Sequence, residues 1–136
     1  MAMDRSRADY QSFGVVVIED QAFVRKTIVQ LLGQLGFSKI GEAEEGESGL
    51  RECQRANPDV IVCDIDMRPV NGLDFLTRLR ASTDVRNPRT PVIFLTKHSE
   101  SEVVKQAMAL GVNAFVVKPP TLPALRERID RFLFAD

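Results

Sequence analysis

The chain has 136 residues, a length that predicts one domain with a core large enough to fold without disulfides or a structural metal. Its 18 basic and 19 acidic side chains give a formal net charge of −1, which offers no support for binding to nucleic acid or to an anionic membrane. Cys53 and Cys63 are not spaced as a metal-ligand pair, and no apolar stretch has the length of a signal peptide or a membrane span. We therefore expect a reduced, cytoplasmic protein without membrane insertion.

Five short apolar segments predict five β-strands. They are residues 15–18, 39–43, 60–63, 92–95 and 114–117, of which the second is the weakest. The other four are continuous apolar runs. Continuous rather than alternating hydrophobicity is typical of parallel strands that helices cover on both faces.

Segments with helical spacing follow each predicted strand. Their apolar positions are Val24, Ile28, Leu31, Leu32 and Leu35 in the first, Leu50 and Cys53 in a short second, Leu73, Leu76 and Leu79 in the third, Val103, Val104, Ala107 and Met108 in the fourth, and Leu122, Leu125, Ile129 and Phe132 in the fifth. We expect the first helix to end at Gly36 and the fourth at Gly111. Strand and helix alternate five times, which predicts an α/β fold with a doubly wound open parallel sheet.

The polar segment 1–13 is expected to be a flexible N-terminal lead, although Tyr10 and Phe13 could pack locally. The folded domain is expected to run from residue 14 to residue 136. No internal repeat is present, and no linker or second domain is expected after the fifth helix.

Polar side chains of related chemistry follow four of the five predicted strands. Glu19 and Asp20 follow the first, Asp64 and Asp66 the third, Thr96 the fourth and Lys118 the fifth. In a doubly wound sheet, ligands bind outside the carboxyl ends of the strands, so these side chains are expected to converge. Crowded carboxylates favour a divalent cation, and Mg²⁺ prefers oxygen ligands. A hydroxyl and an ammonium suit phosphoryl oxygens, and Asp64 is placed to be the nucleophile of aspartyl-phosphate chemistry.

Each of these residues alone has a plainer explanation. Acidic residues at strand ends can simply face solvent, and Asp64 and Asp66 could belong to a turn. A single threonine or lysine after a strand is equally ordinary. Their occurrence together, at strand ends that face one edge, favours a site for a metal ion and a phosphoryl group.

The chain resembles the receiver domains of two-component response regulators, in particular the stand-alone, chemotaxis-type receivers, from about residue 14 to residue 134. The resemblance is carried by the acid pair in VVVIED, by the aspartate of PDVIVCDIDMRPVNG with Gly72 eight positions after it, by the threonine of PVIFLT and by the lysine–proline step of AFVVKPP. It implies a flavodoxin-like (βα)5 fold with strand order 2-1-3-4-5.

The resemblance also implies roles for the acidic residues. Asp64 would accept a phosphoryl group from a histidine kinase or a histidine phosphotransfer protein. Glu19, Asp20 and Asp64, with the main-chain carbonyl of Asp66, would bind Mg²⁺. The protein would be a signalling switch rather than an enzyme with a separate substrate, and would catalyse only its own phosphotransfer and dephosphorylation.

Further roles fall to residues at the last two strands. Thr96 and Lys118 would hold the phosphoryl group, and the Lys118–Pro119 bond would be cis. Phe115 would be the switch residue that couples phosphorylation to a protein-binding surface. The downstream protein that binds this surface is not identified by the sequence.

The chain departs from the family pattern at several positions. Arg68 stands where the family usually has a proline, with Pro69 after it, and Pro120 replaces a common aromatic residue. Phe115 has no hydroxyl, so any switch must work through packing. None of these changes removes a group that the chemistry requires.

One departure predicts an effect on the lifetime of the phosphorylated state. Lys97 occupies the position after Thr96, which is usually small in the family. Its long side chain could shield the phosphoryl group from water, with Asp66 as a candidate counter-charge and His98 beside the same opening.

Two other functions remain open from the sequence alone. Asp64 and Asp66 form a D-x-D motif of the kind that haloacid-dehalogenase-type phosphatases use with Mg²⁺, although in those enzymes the motif follows the first strand. A degenerate receiver would use the same fold for binding without phosphorylation. All six polar groups at the strand ends, namely four carboxylates, one hydroxyl and one ammonium, are nevertheless present here.

Overall fold

The computed structural model describes residues 6–97, 102–112 and 114–134. These residues form five strands, five α-helices and one short 3-10 helix. In chain order they are the 3-10 helix Arg7–Tyr10, β1 (Gly14–Ile18), α1 (Ala22–Leu35), β2 (Lys39–Ala43), α2 (Gly46–Ala56), β3 (Val60–Asp64), α3 (Gly72–Ala81), β4 (Val92–Thr96), α4 (Glu102–Ala109), β5 (Phe115–Val117) and α5 (Leu122–Leu133).

All five strands are parallel and lie in the order β2-β1-β3-β4-β5, which confirms the doubly wound fold and the expected strand order. The chain runs outward from β1 to β2 and then crosses to β3 on the other side of β1. A doubly wound sheet has its ligand-binding crevice at the carboxyl end of such a reversal. β3 and β4 are buried at every residue, as their continuous apolar runs predict.

Helices cover both faces of the sheet and give the domain two hydrophobic cores. Alternate residues of a strand point to opposite faces. In β1, Val15 and Val17 therefore join the core beneath α1 and α5, whereas Val16 and Ile18 join the core beneath α2, α3 and α4. Packing on both faces holds the strands, and hence the strand ends, in fixed positions.

α2 is longer than the apolar positions of its sequence predict. Its first turns contain Gly46 and Gly49, which approach neighbouring elements very closely. A Cβ added to either glycine would lie 2.5 Å from a side-chain atom, of Val70 for Gly46 and of Ile18 for Gly49. Because glycine contributes no apolar side chain, this buried half of the helix leaves no hydrophobic signal in the sequence.

Two glycines follow helices as the sequence predicts. Gly36 caps the end of α1, and Gly111 lies two residues beyond the end of α4. Their φ angles of 136° and 92° lie in the region that residues with a side chain rarely adopt.

None of the helices in the described part of the chain combines the length and the hydropathy that a membrane span needs.

Residues 6–13 of the predicted N-terminal lead include the two aromatic residues that could pack locally; residues 1–5 of that segment lie outside the described residues. Tyr10 is completely buried, and its hydroxyl donates to Asp130 Oδ1 at 2.7 Å. The rings of Tyr10 and Phe13 each pack edge-on against Phe134 with centroids 5.5 Å apart. Burial of large rings, one with a partner for its hydroxyl, is strongly stabilising. Residues 6–13 are therefore part of the packed unit.

The Tyr10 hydroxyl offers a test of this packing. Tyr10→Phe keeps the buried ring but removes the hydrogen bond to Asp130, so the free energy of unfolding in urea should fall by about 1–2 kcal/mol. A double-mutant cycle with Asp130→Ala should assign most of this loss to the pair. A Tyr10→Phe protein as stable as the wild type would mean that this contact does not hold the segment in place.

Candidate functional site

The carboxyl end of the sheet gathers the polar side chains that follow the strands. Asp64 and Thr96 are the last residues of β3 and β4, and Glu19 and Lys118 directly follow β1 and β5. Main-chain hydrogen bonds extend the sheet here: the N–H of Glu19 donates to the Ala43 carbonyl at 3.0 Å, and that of Lys118 to the Thr96 carbonyl at 2.8 Å. The sheet thus fixes the backbone from which these side chains project.

Three carboxylates form a cluster at this edge. One carboxylate oxygen from each of Glu19, Asp20 and Asp64 lies within 4.8 Å of the others. Glu19 and Asp64 are buried, whereas Asp20 is exposed, so the cluster reaches solvent at Asp20. Like charges this close repel one another unless a cation lies among them. Oxygen donors of this kind suit a small hard cation such as Mg²⁺.

The Lys118 ammonium contacts both buried carboxylates. Its Nζ lies 3.2 Å from Glu19 Oε2 and 3.2 Å from Asp64 Oδ2, and its side chain is 13% exposed. Burial disfavours the ammonium, but the charges of Asp64 and Glu19 outweigh burial and raise the pKa of Lys118. Burial, and after it the charge of Asp64, raise the pKa of Glu19 from 4.5 to about 7 against the opposing effect of Lys118.

Thr96 and Asp66 differ in exposure. Thr96 is buried at the end of β4. Asp66 is exposed, and its main-chain N–H donates to Asp64 Oδ1 at 3.2 Å. Within the described residues the carboxylate cluster does not include Asp66. The role implied for Asp66 uses its main-chain carbonyl, and it is the main chain of Asp66 that lies beside Asp64.

The loop after β3 passes very close to Asp64. The N–H of Gly72 donates to the Ile65 carbonyl at 3.0 Å, and a Cβ on Gly72 would lie 2.8 Å from the carbonyl oxygen of Asp64. A side chain at position 72 would therefore displace the loop. The Arg68–Pro69 and Lys118–Pro119 bonds are both cis, which for Lys118–Pro119 confirms the expectation from the family resemblance.

The sequence also predicts roles for Lys97, His98 and Phe115. Lys97 directly follows Thr96 and is exposed. His98 lies outside the described residues. Phe115 is half-buried in β5, where its ring centroid lies 6.3 Å from that of Phe94.

One side chain that contacts the site was not predicted from the sequence. Arg25, the fourth residue of α1, donates from Nη1 to the main-chain carbonyl of Glu19 at 2.8 Å. The available signal is its charge, since a cation near the start of a helix opposes the helix dipole. A cation in that position is expected to have a stabilising partner elsewhere.

Comparisons with known proteins identify the family of this chain. The family model described as "Response regulator receiver domain" matches residues 15–130. The chain is 33% identical over 117 residues to the chemotaxis protein CheY of Pseudomonas aeruginosa, a match that covers 86% of this chain and 93% of that protein. The solved structure of the Vibrio cholerae chemotaxis protein CheY4 matches with a TM-score of 0.78 at 25% identity, over 88% of this chain and 98% of that one.

A further solved structure shares the fold. The receiver domain of a Pseudomonas aeruginosa sensor histidine kinase matches with a TM-score of 0.78 at 22% identity, over 89% of this chain and 97% of that one. That protein has a magnesium ion coordinated in its active site cleft. The chain thus belongs to the response regulator receiver domain family. Receiver domains act as signalling switches in two-component systems, and its relatives include chemotaxis receivers of the CheY type.

The raised pKa of Glu19 should make stability depend on pH. Folded Glu19 keeps its proton up to about pH 7, whereas the unfolded chain releases it near 4.5. Between these values the folded state binds more protons, so the free energy of unfolding should fall as the pH rises through this window, by about 3 kcal/mol. Glu19→Gln should lack this fall, because the amide does not titrate.

Urea unfolding at several pH values, with EDTA to keep metal ions away from the carboxylates, measures this effect. Asp64→Asn should make the fall smaller and end it at a lower pH, because the Asp64 charge contributes to the raised pKa of Glu19. A Glu19→Gln protein that keeps the wild-type pH dependence would show that another group causes it.

Proposed function

We propose that this protein is a phosphoaccepting switch, in which Asp64 takes a phosphoryl group from the phosphohistidine of a histidine kinase or histidine phosphotransfer protein. The observation that carries the proposal is the contact between Lys118 and Asp64. It places an ammonium 3.2 Å from a carboxylate oxygen at the ligand-binding edge of the sheet, beside two further carboxylates. A phosphoryl group on Asp64 would lie within reach of that ammonium.

The proposed transfer exchanges one bond to phosphorus for another. A carboxylate oxygen of Asp64 bonds to phosphorus while the phosphorus–nitrogen bond of the phosphohistidine breaks and the imidazole leaves. Lys118 and Thr96 would donate hydrogen bonds to the phosphoryl oxygens. Hydrolysis ends the signal and requires a water molecule in line with the new bond, so its rate depends on the side chains that flank this approach.

The acidic cluster fits Mg²⁺ because its donors are oxygens and its three carboxylates outnumber the single ammonium of Lys118. Glu19, Asp20, Asp64 and the main-chain carbonyl of Asp66 would hold the ion, which would supply positive charge beside the phosphoryl group. The magnesium ion in the active site cleft of the Pseudomonas aeruginosa kinase receiver supports the same use here.

We propose that Phe115 passes the signal to a partner protein. Phosphorylation would shift its ring from a more exposed to a more buried position, within an equilibrium that already exists in the unphosphorylated protein. Met108 in α4, Leu110 just after it and Val117 in β5 are between 49% and 57% exposed and offer apolar surface for a downstream protein. The cytoplasm remains the expected location.

The family match favours this function over a D-x-D phosphatase, because the receiver model spans residues 15–130. A degenerate receiver differs from the proposed switch in one measurable property, since it takes up no phosphate. The presence of the carboxylates, the hydroxyl and the ammonium supports a receiver that accepts phosphate.

Phosphate uptake can be tested with a small-molecule donor. Acetyl phosphate with Mg²⁺ should add one phosphate to the wild type, detected by mass spectrometry and labile to base, as an acyl phosphate is. Asp64→Asn should abolish the uptake. Asp66→Asn is the matched control and should keep it, because Asp66 contributes its main-chain carbonyl. Labelling of Asp64→Asn at the wild-type rate would contradict the assignment of Asp64.

The lifetime of the phosphorylated state provides a test of Lys97. If this exposed side chain shields the phosphoryl group, Lys97→Ala should lose phosphate several-fold faster, equivalent to about 1 kcal/mol in the barrier. Decay is followed by mass spectrometry after the donor is removed. Lys39→Ala, an exposed lysine at the opposite end of the sheet, should decay like the wild type. A decay rate of Lys97→Ala equal to or slower than that of the wild type would exclude the shield, whatever the contributions of Asp66 and His98.

A further inference from the structure

Arg25 links three elements beneath the acidic cluster. Its Nη1 donates to the main-chain carbonyl of Glu19 at 2.8 Å, and its Nε donates to Glu42 Oε1 in β2 at 3.2 Å. The side chain is only 12% exposed, so both contacts lie largely out of solvent. A guanidinium presents several donors in a rigid fork, which lets it contact both acceptors at once.

The position of Arg25 is unfavourable for a cation that had no specific contacts. It lies near the start of α1, where the helix dipole disfavours positive charge. Partial burial of the guanidinium adds a desolvation cost. The ion pair with Glu42 offsets these costs, and it leaves Nη1 directed at the end of β1.

The contact with the Glu19 carbonyl fixes the backbone that leads into Asp20. The N–H of Glu19 still bonds to the Ala43 carbonyl of β2, so the sheet holds this residue up to its amide. The next peptide group joins Glu19 to Asp20, and because a peptide group is planar, fixing its carbonyl oxygen also fixes its N–H and the adjoining Cα. Asp20 is the exposed member of the carboxylate cluster, so its position depends on its backbone more than on packing.

We propose that Arg25 is a positioning residue for the metal site: anchored by Glu42, it holds the Glu19 carbonyl and thereby directs the Asp20 carboxylate toward those of Glu19 and Asp64. This inference rests on the proposed function, because it assumes that the cluster binds Mg²⁺. It assigns to the ion pair of α1 and β2 a role in metal affinity in addition to any role in stability.

The sign of the change in Mg²⁺ affinity separates positioning from simple electrostatics. A guanidinium close to the acidic cluster repels a divalent cation, so removal of its charge alone should strengthen Mg²⁺ binding. Loss of positioning should weaken binding instead. The two explanations of an Arg25 variant therefore predict opposite results.

The experiment measures the Kd for Mg²⁺ of the intact protein by isothermal titration calorimetry at fixed ionic strength. Arg25→Gln should bind Mg²⁺ on the order of tenfold more weakly than the wild type, the low end of losses seen for groups that orient metal ligands. Arg25→Lys keeps the charge but lacks the fork and should also bind more weakly. Lys26→Gln is the matched control: Lys26 pairs with the same Glu42 at 3.1 Å but is 66% exposed, and its loss should leave the affinity unchanged or slightly stronger.

Each outcome decides the proposal. Affinity of Arg25→Gln equal to or stronger than that of the wild type overturns the positioning role and leaves the phosphoacceptor assignment intact. An equal loss in Lys26→Gln also overturns it, because the effect would then come from the Glu42 ion pairs in general. If Arg25→Gln does not fold, Arg25→Lys decides in the same way. A wild type that binds no Mg²⁺ overturns the proposed metal site and the inference together.

Discussion

The contact of Lys118 with two buried carboxylates is the interaction on which the arrangement of the site depends. Glu19 and Asp64 lie at the end of an apolar sheet, where two uncompensated negative charges would be costly. Lys118 follows the edge strand β5, two strands away from Asp64 and three away from Glu19 in the sheet. Neighbouring strands are about 4.8 Å apart, so only a long cationic side chain can bridge this distance. The same contact that lowers the cost of burial ties the ends of β1, β3 and β5 together.

Glu19 is held at both of its polar ends. Its carboxylate contacts Lys118, and its main-chain carbonyl accepts a hydrogen bond from Arg25. The two cations reach Glu19 from different sides of β1 in the sheet, since Arg25 pairs with Glu42 of β2 and Lys118 follows β5. Asp20 comes directly after this doubly held residue and is exposed. Buried Glu19 thus fixes the backbone from which the exposed Asp20 follows.

The fold and most of the site could be predicted because their signals are local. Continuous apolar runs mark buried parallel strands, and the residue after each run is placed at the ligand-binding edge by the topology alone. Other features depend on contacts between distant parts of the chain. Gly46 and Gly49 pack α2 without apolar side chains, Arg25 needs a carbonyl that only the folded sheet presents, and Tyr10 finds its partner Asp130 at a separation of 120 positions. No pattern within one segment encodes such pairs.

The packing of Tyr10 has a practical consequence for work with shortened forms of the protein. Its ring covers Phe37 at a centroid distance of 5.4 Å as well as Phe134, at the face of the domain away from the acidic cluster. A version trimmed to begin at residue 14, where the first strand starts, would leave these two rings uncovered. Adjacent aromatic rings on a surface promote self-association. By covering these rings, residues 6–13 therefore protect this face of the protein from self-association.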